Sequence, residues 1–316
     1  MATGKQLHID APLSNLAIKA FDGGASYIAQ QLMPIVTVDK QSNKYYTLTR
    51  NSWIRIFNTQ RSRGANSNRI EFDVSNDAYF CDNRALSAQI PIEDVSNADS
   101  ALRVRENTTA VLTEGLLRDY ENRVASKITS SANIGSGVAL TGANKWSDLL
   151  SSDPLSDVTT GHAYITNNTG LHPNTMVIDW NTLQTLKRHP KLIDYYKYTQ
   201  GGLLGEQILA SVFGVSKVLV GQGVKNNAPE SATASITTIW GNNAILAVVN
   251  PAAGPMTQTF GLSFRWQPEG MPAMAVMRDA SEMAAGKKWV EVLEAMYYQD
   301  EKVVAPSLAY GINNTL

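Results

Sequence analysis

KQSNKYYTLTRNSWIRIFNTQRSRGANSNRIEFDV, residues 40–74, holds seven basic residues (Lys40, Lys44, Arg50, Arg55, Arg61, Arg63 and Arg69) and no acidic one before Glu71. The chain as a whole has a formal net charge of only −1, so this stretch stands apart from its surroundings. Its first limb alternates through Tyr46, Leu48, Trp53, Arg55 and Phe57, and its second through Ile70, Glu71, Phe72, Asp73 and Val74. Alternation of period two marks a strand. A polar, turn-rich tip, residues 58–68, separates the limbs, and together they predict an extended hairpin. A two-stranded ribbon is marginal in water by itself, and so long a polar tip does not readily fold back on its own domain. Its partner is therefore expected on another subunit; the plainer alternative is an exposed hairpin within a larger sheet.

Working outward, residues 1–44 read as an arm, irregular except for a short helix over 26–32 that Pro34 stops. Residues 97–131 contain no proline, and Leu112, Leu116, Tyr120, Val124 and Ile128 recur every four positions, with Leu117 widening the stripe. That pattern predicts one long amphipathic helix, roughly 50 Å from end to end, with Ser96 or Asn97 as its cap. Glu114 with Arg118 and Asp119 with Arg123 stand four apart, acid first, which supports the exposed face. Gly115 lies inside the helix, where glycine costs about 1 kcal/mol against alanine. It predicts either a place to bend or a close approach by a neighbouring backbone.

Between about 137 and 260 the texture changes to short alternating elements. Helices are expected over 146–150, 181–188 and 201–210, and strands over 175–179, 217–220, 236–240 and 244–249, a compact mixed domain. The remainder is strand-rich, with segments at 260–266, 274–278 and 289–298 and a last one to Leu316, expected in a sheet alongside the long helix. The fold class is α+β.

Composition narrows the function. The 316 residues suffice for about two domains, and the charged fraction, 17%, is below the ~25% usual for soluble domains. Low charge density and near-zero net charge favour contact with copies of the same chain. Cys81 is the sole cysteine, and four histidines leave little material for a metal site. The first 21 residues lack a charged leader followed by a long apolar core, and no run approaches the ~20 apolar residues that span a bilayer, which implies a soluble cytoplasmic product with no membrane partner.

No catalytic motif emerges, and neither an enzyme nor a cofactor is expected. Residues 201–206 (GGLLGE) only loosely resemble a dinucleotide loop, since no strand leads into them. His162, His172 and His189 read as surface histidines, and Cys81 as a small buried apolar group. The basic hairpin could bind nucleic acid, but a pI of about 6.4 argues against that as the main role.

The order of parts, together with residues 32–46 (LMPIVTVDKQSNKYY), 70–81 (IEFDVSNDAYFC), 95–99 (VSNAD) and 174–193 (NTMVIDWNTLQTLKRHPKLI), resembles the major capsid proteins of tailed bacteriophages, the Hong Kong 97-type fold. The resemblance implies an N-terminal arm (1–44), an E-loop hairpin (45–80), a P-domain with its spine helix (81–136), an A-domain (137–260) and return strands of the P-domain (261–316). It implies a subunit that self-assembles through pentamers and hexamers into an icosahedral shell around DNA, built in the host cytoplasm and residing in the virion. Scaffolding, portal and decoration proteins, and non-specific contact with packaged DNA, are the partners it implies. The same fold serves encapsulin nanocompartments, the alternative reading. On this reading Arg55, Arg61, Arg63 and Arg69 of the E-loop dock on acidic surface of a neighbour. The candidates are Glu114, Asp119 and Glu121 on the helix, or Glu291, Glu294 and Glu301 on the return strands, and Gly115 is a candidate spine hinge.

Overall fold

Strand β14, Val290–Val303, organises one half of the molecule because it is long enough to serve several partners at once. The computed structural model describes residues 8–22, 27–48, 52, 54–64, 66–70, 74–97, 103–196, 205–229, 232–252, 254, 257–279 and 289–316. Along one edge β14 pairs antiparallel with β5, Asp82–Pro91. Along the other it pairs with β13, Ala275–Asp279, and then with β12, Gly261–Trp266. β12 in turn takes β2, Ile35–Val38, in parallel, and β13 takes the short β1, His8–Ile9.

Helices in chain order are α1 (Ala11–Asp22), α2 (Ala29–Leu32), α3 (Ile92–Asn97), α4 (Val104–Thr129), α5 (Pro154–Thr169), α6 (Trp180–Arg188), α7 (Pro190–Tyr196) and α8 (Glu206–Val212). The long helix α4 lies across β5 and β14. Its buried stripe is the expected one: Leu112, Leu116, Leu117, Tyr120, Val124 and Ile128. It starts at Val104 and not at 97, so its 26 residues span about 39 Å. Arg103, with φ 37°, turns the chain into it through the left-handed region, while Ser96 and Asn97 close the separate α3. Residues 98–102 lie outside the described ones.

The N-terminal segment is more regular than its sequence suggested. The Leu13 N–H donates to Asp10 Oδ1 at 3.1 Å, and Pro12 occupies the first turn, a helix start that composition alone disguises. Leu13 and Ala17 of α1 are buried, and the helix packs on α4.

A second sheet runs in the order β6 (Ser136–Ala139), β15 (Ala309–Asn313), β11 (Asn243–Ala247), β7 (Thr175–Asp179), β8 (Lys217–Gly221). Every residue of β7 is buried, as a central strand covered on both faces requires. The last strand therefore leaves the return strands: β15 inserts between β6 and β11, where Gly311 sits opposite Gly137. A Cβ on Gly137 would stand 2.6 Å from the Gly311 carbonyl oxygen, so this parallel contact needs a bare backbone. The chain end is fastened there: Thr315 Oγ1 and Thr182 Oγ1 are 3.0 Å apart, and Lys145 Nζ donates to the Leu316 oxygen at 2.8 Å.

Residues 146–150 form turns, not the expected helix. Trp146 is buried with its Nε1–H donating to Asp157 Oδ2, and the helix comes later as α5, capped by Asp153, begun by Pro154 and closed by Gly170 at φ 74°. The segments at 236–240 and 244–249 are not partners of each other. β10, Ile236–Thr238, pairs with β9, Val224–Asn226, in a small ribbon of its own. One continuous apolar core runs from α1 and α4 into the second sheet.

A projecting basic loop and its acidic counterparts

The ribbon of residues 40–74 is shorter than its alternation implied. β3, Ser42–Leu48, pairs antiparallel with β4, Val74–Phe80, from Ser42 opposite Phe80 to Leu48 opposite Val74. Arg55 and Phe57 lie beyond the strands, and Trp53 and residues 71–73 fall outside the described ones.

Its base is fixed to its own subunit. Tyr45 and Tyr79 close on Phe264 of β12, with ring centroids 5.0 and 4.7 Å away, and Cys81 and Leu262 complete the cluster. The Tyr45 hydroxyl donates to Asp77 Oδ2 at 3.0 Å, and the Phe80 N–H donates to Asp300 Oδ2 at 3.1 Å. Burial pushes the Cys81 thiol up to about 11, and its S–H donates to the Phe264 carbonyl, so it stays protonated as packing.

The loop itself points to solvent. Arg55, Arg61, Arg63 and Arg69 are all exposed, and so are Ile54, Ile70 and Ile56, the last 96% accessible. Isoleucines left in water beside arginines make an amphipathic tip. Two of these isoleucines fall in the I-R-I-F of residues 54–57, whose alternation predicts strand but which lies outside the paired strands.

The acidic candidates divide. Glu114 and Asp119 are half-exposed on α4, paired with Arg118 at 3.2 Å and with Arg123 respectively. Glu294 is partly exposed on β14. Glu121, Glu291 and Glu301 are buried and are not surface partners for another chain. Glu291 is clasped by Arg105 of α4 at 2.9 Å and Arg278 of β13 at 2.6 Å, and Glu301 by Arg123 at 2.9 Å and Lys127 at 3.7 Å. These ions are interior struts between the long helix and the sheet, neutralised by arginines from distant segments. Glu121 accepts hydrogen bonds from the backbone of α2.

Among the described residues no group of three or more His, Cys, Asp or Glu could hold a metal ion. His189 departs from the surface reading: it is fully buried, with Nε2 3.0 Å from Ser152 Oγ. Burial and the neighbouring Lys191 hold it below the ordinary histidine range. Residues 201–204 lie outside the described ones; Gly205 simply precedes α8. An added Cβ on Gly115 would lie 2.9 Å from Leu86 Cδ1 of β5, so the neighbour at this glycine is the end of a side chain and not the backbone expected there.

A major capsid protein of Burkholderia phage BcepMu is 30% identical over 254 residues, covering 79% of this chain and 80% of that one. This chain belongs to the major capsid proteins of phages. A second such protein, from Pseudomonas phage JBD67, is 27% identical over 314 residues, 98% of this chain and 97% of its own length. No protein-family model matches the chain. Among solved structures, a phage-related protein from Bordetella bronchiseptica RB50 superposes with a TM-score of 0.74 at 23% identity, covering 98% of this chain and 99% of that one. The capsid of cyanophage P-SCSP1u follows with a TM-score of 0.59 at 12% identity, covering 91% and 88%. The α+β capsid fold is shared well beyond the reach of sequence similarity.

Proposed function

We propose that the chain is the shell subunit of a tailed phage, assembling through pentamers and hexamers into an icosahedral head around DNA in the host cytoplasm and remaining in the virion. The observation that carries this reading is the 30% identity to a phage major capsid protein over 79% of the chain. Both sequence relatives are phage capsid proteins, which favours a genome shell over an encapsulin-like compartment. The fold supports the Hong Kong 97-type division, with an N-terminal arm, an E-loop of about 45–80, a P-domain built on α4 and β14, and an A-domain around the second sheet. On this division the final strand, β15, belongs with the A-domain sheet and not with the return strands.

The E-loop tip is the contact with a neighbour. Its isoleucines supply apolar burial, and Arg55, Arg61, Arg63 and Arg69 supply charge. Glu114 and Asp119 remain suitable acidic partners, beside the exposed Ala110 and Val111 on the outward face of α4, and Glu294 is a third. Scaffolding, portal and decoration proteins would meet the assembled shell, with DNA touched non-specifically. Electron microscopy of the purified chain at raised concentration is expected to show closed shells or capsomers. A strict monomer in sedimentation under all salt and concentration conditions would overturn the reading.

A further inference from the structure

About two thirds of the way along α4, Glu121 is fully buried. Its carboxylate accepts the Ile28 N–H at 3.1 Å, the Ala29 N–H at 2.8 Å and the Trp240 Nε1–H at 2.6 Å. Ile28 is the residue that caps α2 and offers no side-chain cap of its own, so a side chain 92 positions from Ala29 does that work. α2 leads through Pro34 directly into β2 and then the E-loop ribbon, and Trp240 stands in the turn before β11. One carboxylate thus joins the N-terminal segment, the long helix and the second sheet.

No counter-charge accompanies it among the described residues. On the elements packed around it, the Tyr27 hydroxyl donates to Glu114, Glu114 pairs with Arg118, and Lys225 of β9 donates to Asn122 at 2.9 Å. We propose that Glu121 is a proton-linked latch, whose ionisation state sets how tightly residues 27–34 and the Trp240 turn are held to the long helix. The latch lies within one chain and does not depend on the assembly reading.

A buried carboxylate without a cation is costly to ionise. Burial pushes the Glu121 carboxyl up, and the N–H donors of Ile28, Ala29 and Trp240 offset that only in part. Opened to water, the same group titrates as an ordinary glutamate, at about 4.3. The closed latch therefore holds its proton more tightly than the open one. Acid favours closure, and a rise in pH between the two values favours opening, by up to about tenfold per pH unit before levelling off.

Hydrogen exchange of the full-length chain from about pH 4 to about pH 9, corrected for the intrinsic rate, brackets a raised carboxyl. Protection at Ile28 and Ala29 is expected to fall as pH rises and then level. Glu121→Gln, which cannot ionise, should flatten that dependence. Trp240→Phe removes a donor to the ionised form and should move the midpoint to higher pH, which decides the matter even if the glutamine variant does not fold. A flat profile in the parent chain, a slope that survives Glu121→Gln, or a midpoint that Trp240→Phe leaves in place or lowers would overturn the latch.

Discussion

Gly115 shows how a single residue can carry two roles that sequence cannot separate. α4 runs unbroken through it, and the nearest obstacle to a side chain is the flexible end of Leu86, itself partly exposed. Alanine restores about 1 kcal/mol of helix propensity. Gly115→Ala is therefore expected to raise the melting temperature of the unassembled chain by about 2 °C, with Leu86 rotating aside. A lower melting temperature would mean that Leu86 cannot move and that the glycine is kept for packing. If the glycine also lets the spine bend as a shell expands, the same variant slows expansion; unchanged expansion rate and yield would remove the hinge role.

The contact between α4 and β14 is an ionic seam laid over an apolar one. Arg123 is largely buried, with Glu301 and the Tyr297 hydroxyl on one side and Asp119 on the other. Burial pushes the Glu301 carboxyl up, but Arg123 and Lys127 more than offset it and leave it below the ordinary range. Because the folded value is the lower one, its stabilisation is complete above about pH 4.3 and is lost as pH falls through the folded value. Glu301→Gln leaves Arg123 with Asp119 and Lys127 with Asp300 at 3.5 Å, but removes the buried acid that both share, and is expected to cost about 2 kcal/mol at neutral pH. Thermal melts from neutral pH into acid should show a shallower loss in the variant than in the parent. An unchanged acid slope would place the lability elsewhere in the molecule.

For the whole molecule, the decisive contrast is between the anchored base of the E-loop and its exposed tip. The base is held by Tyr45, Tyr79 and Phe264, so charge reversal at Arg61 and Arg63 should leave the subunit fold intact. Each solvent-exposed ion pair contributes only ~0.2–1 kcal/mol, but a capsomer repeats it around its ring. The Arg61→Glu, Arg63→Glu double variant is expected to melt like the parent and to form far fewer shells, and high salt should weaken parent assembly in the same direction. Assembly equal to the parent at low and moderate salt would remove the arginines from the interface, and loss of folding would place the tip against its own subunit.

The sequence by itself determined the local periods: the α4 stripe, the largely apolar β7 and the presence of a hairpin with a basic loop, because 3.6- and 2-residue repeats are properties of neighbours along the chain. It held the start of α1 at Asp10 and Pro12 and that of α5 at Asp153 and Pro154 as well, though Gly161 and the many polar residues of α5 masked its pattern. Tertiary structure alone decided which charges are surface and which are interior. Glu121, Glu291 and Glu301 look in sequence like any solvated acid, and their partners Trp240, Arg278 and Arg123 lie from 13 to 178 positions away. It also decided that the last strand crosses to the second sheet, since its pairing with β6 needs a bare backbone at Gly137 where Gly311 passes, a meeting in space that leaves no period to read.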